Sequence, residues 1–256
     1  MGNGAITSYI DVAQIALYVF WAFFAGLIYY LHRENKREGY PLENDRSGQV
    51  NVEGFPGVPE PKTFLLRDGR TVSVPNAQRE EYELAAEPGG AWMGAPLEPT
   101  GNPMLDGIGP GAWSKRADIP DTTAEGAPRI VPLRAASGFS SSSKDPNPIG
   151  LPVIGADGVT GGTVVDLWVD QAEMLFRYLE VETLGEAGPR RVLLPINFAK
   201  IDSQRVKVRA ILGGQFGFAP NTRNPDQVTL LEEDRIVAYY GGGTLYATPQ
   251  RQEPLL

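Results

Sequence analysis

Twenty consecutive residues without a charge, Val12–Leu31, constrain the fold of this chain more than any other feature. Only Gln14 in this stretch is strongly polar. At ~1.5 Å rise per residue, a helix of this length covers roughly 30 Å, the thickness of the hydrocarbon core of a bilayer. We therefore expect one transmembrane helix over residues 12–32. A second span is not expected, because the rest of the chain is too polar and too often broken by Pro and Gly.

The charges that flank this stretch predict its orientation. Residues 1–11 carry no Lys or Arg, whereas Arg33, Lys36 and Arg37 follow the span. The positive-inside rule then places residues 1–11 in the periplasm and the C-terminal bulk in the cytoplasm. The same cations are placed to meet anionic lipid headgroups, or they act only as topology signals. A cleaved signal peptide would need a basic start, a shorter apolar core and a small-residue cleavage site, so we expect an uncleaved anchor.

Two features of the span indicate what surrounds it. Ala22 and Gly26 form a pair of small residues on one helix face, which favours close approach of a neighbouring helix, although spans that contact only lipid also carry such residues. Tyr9 lies near one end, and Tyr29 and Tyr30 near the other, as in the aromatic belts of membrane interfaces.

Composition excludes several functional classes. The formal net charge is −8 and the isoelectric point is near 4.8, which argues against nucleic-acid binding. The chain has no cysteine, and its one histidine, His32, lies at the membrane boundary. A histidine-based metal site or catalytic dyad in the soluble part is therefore excluded. No phosphate-binding or nucleophile-elbow motif is present. The lack of His and Cys in the soluble part disfavours a membrane-bound enzyme.

Residues 33–145 read as an extended connector rich in Pro and Gly. Its strand-like runs are short, TFLL at 63–66 and TVSV at 71–74. A free linker would have few apolar residues, but this one keeps five large ones at intervals: Trp92, Met104, Trp113, Ile130 and Phe139. We therefore expect the connector to be packed over a partner surface. The SSSSK run at 140–144 marks the expected end of this region.

The pattern changes to β-structure in a domain predicted over residues 146–248. Turn signals separate five short apolar runs: LPVI (151–154), TVVDLWV (163–169), LFRYLEVE (175–182), RRVLLPI (190–196) and RVKVRAIL (205–212). Their length and spacing predict a small, strongly bent antiparallel sheet or barrel. Alternation in the last run places Val206, Val208 and Ala210 in the core and Arg205, Lys207 and Arg209 outside.

A short helix is predicted after the strands, at about 229–240. Thr229 is followed three residues later by Glu232, which is a capping-box pattern, and Gly241–Gly243 are expected to end the helix. Residues 249–256 would then form a tail. The predicted fold is one N-terminal transmembrane α-helix plus a mainly-β cytoplasmic domain, a small antiparallel barrel, with a short C-terminal helix.

Two carboxylates follow the most apolar strand. Asp170 and Glu173 lie where the chain leaves the VVDLWV run. Like charges this close can raise each other's pKa and share a proton, as a proton relay requires. The alternative is that the two residues cap a turn and form a salt bridge with Arg177, since structural ion pairs also perturb pKa values.

Several blocks of this sequence resemble one protein family. They are, in order, FWAFFAGLIYYL running into REGYPLE, then PKTFLL, PTGNPMLDGIGPGAW, NPIGLPV, VVDLWVD, RYLEVE and VTLLEED. Together they resemble the H subunit of the purple-bacterial photosynthetic reaction centre over nearly the whole chain. The resemblance implies a PRC-type barrel in the C-terminal domain. It also implies a helix beside the pigment-binding L and M subunits and a cytoplasmic cap over their quinone side.

The resemblance also assigns residues to proton transfer. Glu173 matches the family's buried glutamate near the path to the secondary quinone, and Asp170 matches its acidic neighbour. Arg177 and Arg129 align with basic residues of that region, where they would hold the acids in their ionised form.

One stretch departs from the family pattern. The family members best known to us carry surface histidines where protons enter, but residues 118–133, DIPDTTAEGAPRIVPL, contain none. Asp121 and Glu125 are the titratable groups between Asp118 and Arg129. Either these carboxylates collect protons, which the acidic surface favours, or protons enter elsewhere.

The function implied is that of a non-pigment-binding subunit, not an enzyme. It would cap and stabilise the L and M subunits and conduct protons to the secondary quinone. The complex would hold bacteriochlorophyll, bacteriopheophytin, quinones, non-haem iron and carotenoid, none ligated by this chain, in the inner (intracytoplasmic) membrane of a bacterium. Membrane lipids, a cytochrome subunit and a light-harvesting 1 ring are further candidate partners. The alternative is a membrane-tethered barrel module that docks another membrane complex.

Overall fold

The structure is a computed structural model of the 256-residue chain, and it describes residues 6, 10–37, 54–76, 84–92, 94–184 and 188–252. The chain divides into two compact units, an N-terminal unit of residues 1–82 and a C-terminal unit of residues 83–256. Tyr9 and the end of the predicted tail, residues 253–256, lie outside the described residues.

Helix α1, Val12–Glu34, begins the N-terminal unit and continues into a 3₁₀ turn at Asn35–Arg37. Asp11 caps it, because its carboxylate accepts a hydrogen bond from the Gln14 N–H at 2.7 Å. No residue of α1 is buried, although the helix is strongly apolar. In the described part of the chain, it is the one helix long and apolar enough to cross a membrane. The predicted span is therefore present as a helix with an uncovered apolar surface.

A hairpin follows the helix within the same unit. Strands β1, Lys62–Leu65, and β2, Thr71–Val74, pair antiparallel, close to the two runs that the sequence indicates. Lys36 donates hydrogen bonds to the carbonyls of Gly54 and Pro56. These bonds connect the segment before the hairpin to the end of the apolar helix.

The C-terminal unit is built around a seven-stranded sheet, preceded by a small hairpin of β3, Ala86–Pro88, and β4, Leu97–Pro99. The sheet consists of β5 (Ile130–Pro132), β6 (Pro152–Ile154), β7 (Thr160–Asp170), β8 (Leu175–Thr183), β9 (Arg191–Pro195), β10 (Ala199–Ile201) and β11 (Val206–Val208). Its order is β10-β11-β6-β7-β8-β9, and β5 pairs with the end of β7.

One pairing in this sheet differs from the antiparallel prediction. The last strand, β11, lies parallel to β6, whereas all other strand pairs in the sheet are antiparallel. The chain therefore returns beside β6 after passing through the other strands, which curls the sheet. As predicted, Val206, Val208 and Ala210 are buried, and the three basic residues that alternate with them are exposed.

Strand β7 is long and bent because other strands use its two ends. Its first residues pair with β6, and its last three, Trp168–Asp170, pair with β5. Two register shifts against β8 accompany the bend. Five consecutive residues at the end of β7, 166–170, are buried, so both faces of the strand are covered there, as its three adjacent apolar residues 167–169 indicate.

Helix α2, Leu230–Tyr246, packs on the sheet through Ile236, Tyr239 and Tyr240. The predicted capping box is present, since Thr229 and Glu232 each accept a hydrogen bond from the other's backbone N–H.

The prediction that Gly241–Gly243 end this helix is wrong, because the helix runs through them. A Cβ on Gly243 would lie 2.4 Å from Ile211 Cγ2 and 2.6 Å from the Ala210 carbonyl. A Cβ on Gly242 would lie 3.3 Å from the Cα of Gly111, in a 3₁₀ turn formed by Gly109–Gly111. The glycines therefore allow close approach of backbones and do not stop the helix.

Part of the predicted connector belongs to this unit. Met104 and Ile130 are buried in its core, and Phe139 packs on a smaller cluster with Val131 and Val169. For these residues, the expectation of a partner surface differs from the structure, because they pack in the chain's own core clusters. Trp92, by contrast, is 56% exposed.

Candidate functional site

The turn between β7 and β8 positions the predicted acidic pair. Asp170 ends β7, and its Oδ1 accepts hydrogen bonds from the backbone N–H groups of Ala172 and Glu173, both at 3.0 Å. Met174 closes the turn with φ 56° and donates its N–H to the Asp170 carbonyl. Asp170 therefore does cap a turn, as the alternative interpretation of the sequence holds.

Two arginines connect Asp170 to other carboxylates. Arg129 Nε lies 3.0 and 2.9 Å from the two carboxylate oxygens of Asp170, and Nη1 lies 3.2 Å from Asp121 Oδ2. Glu173 gives one oxygen to Arg129 and the other to Arg177, the latter at 2.8 Å. We call these five residues the Asp170 network. Three carboxylates and two guanidinium groups leave it with one net negative charge.

Burial and hydrogen bonding act in opposite directions on Asp170, whose side chain is fully buried. Burial raises the pKa of this carboxyl, but the hydrogen bonds from Arg129 and from the Glu173 N–H together lower it below its usual value. The same hydrogen bonds raise the pKa of Arg129. Arg129 therefore opposes the pKa rise that a neighbouring carboxylate would cause at Asp170, as the resemblance implies. The lowered pKa favours the ionised form of Asp170.

Glu173 has a different environment. Its side chain is 46% exposed, so it connects solvent to the buried part of the network. The resemblance implies a buried glutamate at this position, whereas in this chain by itself the buried carboxylate is Asp170. Glu173 is thus the more solvent-accessible member of the pair, while two guanidinium groups fix its position.

The structure separates the two acids predicted to collect protons. Asp121 belongs to the Asp170 network, and its carbonyl also accepts the Arg129 N–H at 2.8 Å. Glu125 is exposed in the loop between Asp121 and Arg129. Hydrogen bonds from its own backbone N–H and from the Thr123 hydroxyl lower the pKa of this carboxyl. Among the described residues, no hydrogen bond or ion pair joins Glu125 to the network.

The residues predicted to contact lipid or a partner helix lie on α1 and the turn after it. Ala22 and Gly26 are exposed, and nothing in the described chain lies within 4 Å of a Cβ built on Gly26. Tyr30 has the Lys62 ammonium 5.9 Å from its ring centroid, and Arg33 is half-buried. Arg37 is buried and donates to Glu34 and to the carbonyls of the following segment. Those bonds leave Arg37 poorly placed for lipid headgroups.

Comparison with known families covers most of the chain. Residues 4–135 match the family model of the photosynthetic reaction centre H-chain N-terminal region, which is just over half of the chain. The chain belongs to the photosynthetic reaction centre H-chain family. Residues 142–215 match the PRC-barrel domain. The curled sheet between an apolar N-terminal helix and a C-terminal helix fits that assignment and confirms the predicted fold class.

The Asp170 network joins the two matched regions of this H-chain family member. Asp121 and Arg129 lie in the H-chain region, and Asp170, Glu173 and Arg177 lie in the PRC-barrel region. Pairing of β5 with β7 brings them together, because Ile130 is opposite Asp170. The candidate site is therefore made by residues of both matched regions.

A second ion network was missed by the sequence reasoning. Arg134 Nη1 lies 2.8 Å from Asp166 and 2.6 Å from Glu180, and the Trp168 indole N–H donates to Glu180 at 2.9 Å. Both carboxylates are buried, and Arg134 also donates to the Pro225 carbonyl. This network fastens the segment after β5 to the sheet. Its signal in the sequence was the alternating Asp166, Trp168 and Asp170, which places three functional side chains on one face.

A third missed pair connects the sheet to α2. The Tyr178 hydroxyl donates to Glu233 Oε2 at 2.7 Å, and burial raises the pKa of both groups. Glu233 follows the capping Glu232 directly, so the sequence indicated only a helix start there. The described residues contain no group of three or more His, Cys, Asp and Glu side chains that could hold a metal ion.

Proposed function

We propose that this chain caps the L and M subunits of a photosynthetic reaction centre on the cytoplasmic side and conducts protons to the secondary quinone. Membership of the H-chain family supports association with other reaction centre subunits. The observation that supports proton conduction is the pairing of half-exposed Glu173 with buried, ionised Asp170 through two shared guanidinium groups. In this proposal, bacteriochlorophyll, bacteriopheophytin, quinones, iron and carotenoid are held by the partner subunits and not by this chain.

In this proposal α1 crosses the inner membrane once, with residues 1–11 in the periplasm. The absence of Lys and Arg before the helix and the cations Arg33 and Lys36 after it support that orientation. The exposed Ala22 and Gly26 face gives a neighbouring helix room to approach. The remaining surface of α1 then contacts membrane lipids.

Each member of the Asp170 network has its own task in proton transfer. Asp121 and Glu173 take protons from water, since both are accessible to solvent. Asp170 stays ionised and holds Arg129 and Arg177 in place, so that these in turn fix the two oxygens of Glu173. Glu173 then passes its proton toward groups supplied by the quinone-binding subunits. Holding the Glu173 carboxylate in one position favours proton transfer, because donor and acceptor must lie within hydrogen-bond distance of each other.

Co-purification tests the assignment to a photochemical complex. Membranes are solubilised mildly, the full-length chain is captured through an affinity tag, and a near-infrared spectrum is recorded. We expect bacteriochlorophyll bands in the captured material. A colourless preparation with another membrane complex would instead support the barrel-module alternative.

Replacing Glu173 with Gln tests proton conduction, because Gln keeps the shape but cannot titrate. Glu173→Gln should leave pigment spectrum and first-flash charge separation intact and slow the proton-coupled second electron transfer to quinone about tenfold, or about 1.4 kcal/mol on the barrier. Glu182→Gln is the matched control, an exposed acid on β8 outside the network. Equal second-flash rates in both variants from pH 5 to 9 would remove Glu173 from the mechanism.

A further inference from the structure

Glu233 is a partly buried carboxyl that the proposed pathway does not use. It lies in the first turn of α2 and points toward β8, where the Tyr178 hydroxyl donates to its Oε2 at 2.7 Å. Tyr178 is only 4% exposed. The pair therefore connects two elements of the core through a short hydrogen bond, at a place where a carboxyl is poorly solvated.

The segment before β5 brings Glu233 close to the Asp170 network. Pro120 pairs with Thr229, and the Leu230 N–H donates to the Ile119 carbonyl at 3.0 Å. The Thr229 hydroxyl also donates to Asp118 at 2.8 Å. These bonds fix the segment against the start of α2. Asp121, the next residue along, is bound to Arg129 of the network.

Charged groups on three elements act on Glu233. Arg177 lies on β8 beside Tyr178, Asp121 lies on the fixed segment, and Arg116 lies on the chain before it, 3.5 Å from Asp234 of α2. Burial raises the pKa of Glu233, and Asp121 raises it further. Three groups lower the pKa of Glu233: the Tyr178 hydrogen bond, Arg177 and Arg116. Their combined effect is smaller than the effect of burial and Asp121, so the pKa remains above its usual value.

We propose that Glu233 is a proton-storing group of this domain, coupled to the Asp170 network through the negative charge of Asp121. A proton taken up by the network removes negative charge near Glu233, and Glu233 then releases its own proton more readily. A proton leaving the network has the opposite effect. Each step moves one proton between water and the Glu233 carboxylate, and no other group is consumed. Glu233 lies outside both regions matched to known families.

The use of this stored proton rests on the proposed proton-conducting function, but its existence does not. Protonation of Glu233 is measured at equilibrium in the dark, whereas conduction is measured by flash kinetics. Normal kinetics in Glu173→Gln would remove the proposed function and leave the Glu233 titration standing. If no titration of Glu233 is observed, only the proposal of proton storage fails, and the proposal of proton conduction stands.

Infrared pH-difference spectra of the intact complex test the proposal directly. The wild type should show a protonated-carboxyl C=O band that disappears at a pH above the usual range of glutamate. The band should be absent in Glu233→Gln and present in the control Glu182→Gln. Persistence of the whole band in Glu233→Gln would overturn the assignment.

Two further variants test the coupling and keep the proposal falsifiable if Glu233→Gln does not fold. Tyr178→Phe removes a hydrogen bond to the carboxylate, so the band should titrate at higher pH. Asp121→Asn, at a partly exposed position, removes a negative charge, so the band should titrate at lower pH. Absence of a shift in Asp121→Asn would overturn the coupling.

Discussion

Asp170 determines the geometry of the candidate site at the scale of single residues. It is fully buried, accepts two backbone N–H bonds and contacts both guanidinium groups of the network. A buried charge with this many partners is stable in its ionised form, but each partner depends on it. Its role is therefore to position Glu173, Arg129 and Arg177.

Asp170→Asn should destabilise the fold, because two arginines would lose their shared counter-charge. We expect a loss of about 3 kcal/mol in the free energy of unfolding. The pH dependence has a defined sign. Because folding lowers the pKa of Asp170, its contribution is present above the usual value of 3.8 and is lost as pH falls through the lower folded value.

Chemical unfolding of the full-length chain at several pH values measures both effects. The wild type should lose stability as pH falls below the usual carboxyl value of 3.8, and the Asp170→Asn variant should show a smaller loss over the same range. Identical pH profiles would show that Asp170 is not ionised in the fold.

The lack of histidine in residues 118–133, where we propose that protons enter, predicts weak inhibition by zinc. Zn²⁺ prefers imidazole nitrogen, and Asp121 is already bound to Arg129, whose positive charge disfavours a metal ion. Second electron transfer in this complex should be less sensitive to micromolar Zn²⁺ than in a family member with histidines in the matching stretch. Equal inhibition in a parallel titration would place the metal site, and proton collection, elsewhere.

At the scale of elements, α2 depends on glycines that a sequence reading takes for a stop signal. Gly243→Ala would place a methyl group against the Ala210 carbonyl and Ile211. The gain in helix propensity offsets only part of this overlap, so we expect a net loss of about 2 kcal/mol. Thermal unfolding measures it. Gly214→Ala is the control, since its Cβ would meet nothing within 4 Å, and equal stability of the two variants would contradict the packing role.

Local patterns were sufficient for most of the elements. Apolar runs bounded by turn signals predict β7 and β8, alternation predicts the buried valines of β11, and the Thr229 and Glu232 pair predicts the start of α2. These features depend on residues close in sequence. The parallel pairing of β6 with β11 and the glycine contacts of α2 depend on residues distant in sequence, so no local pattern contains them.

The candidate site shows the same division. The sequence and its resemblance indicated Asp121, Arg129, Asp170, Glu173 and Arg177, and the structure brings all five together. The sequence left the pKa direction of Asp170 open, since a neighbouring carboxylate raises the pKa and nearby arginines lower it. The outcome depends on arginine and backbone N–H groups whose positions come from the fold. Glu233 was missed because its environment is made by β8 and the segment before β5.

At the scale of the whole molecule, the structure changes the expectation for the connector. Strand β5 pairs with β7 inside the chain's own core, so its amide hydrogens should exchange slowly even without partner subunits. Hydrogen exchange on the isolated full-length chain in detergent measures this. Rapid exchange at Ile130 and Val131 together with slow exchange in β8 would show that partners are needed to order this segment.

In the proposed function, the apolar helix and the charged network on the mainly-β unit serve two separate tasks, membrane attachment and proton transfer. The first requires only an uncovered apolar surface, which α1 provides along its whole length. The second requires Glu173 to exchange protons with water while Arg129 and Arg177 hold it. A variant that no longer conducts protons should therefore still be attached to the membrane.

Chemical rescue is the measurement that tests proton conduction most directly. Small weak acids carry protons through water-filled space and can replace a missing carboxyl without repairing a damaged fold. In complexes with Glu173→Gln, their addition should restore much of the second-flash electron-transfer rate while leaving the wild-type rate unchanged. A slow rate that no weak acid restores, accompanied by earlier thermal release of pigment, would contradict proton conduction and show that Glu173 only holds the complex together.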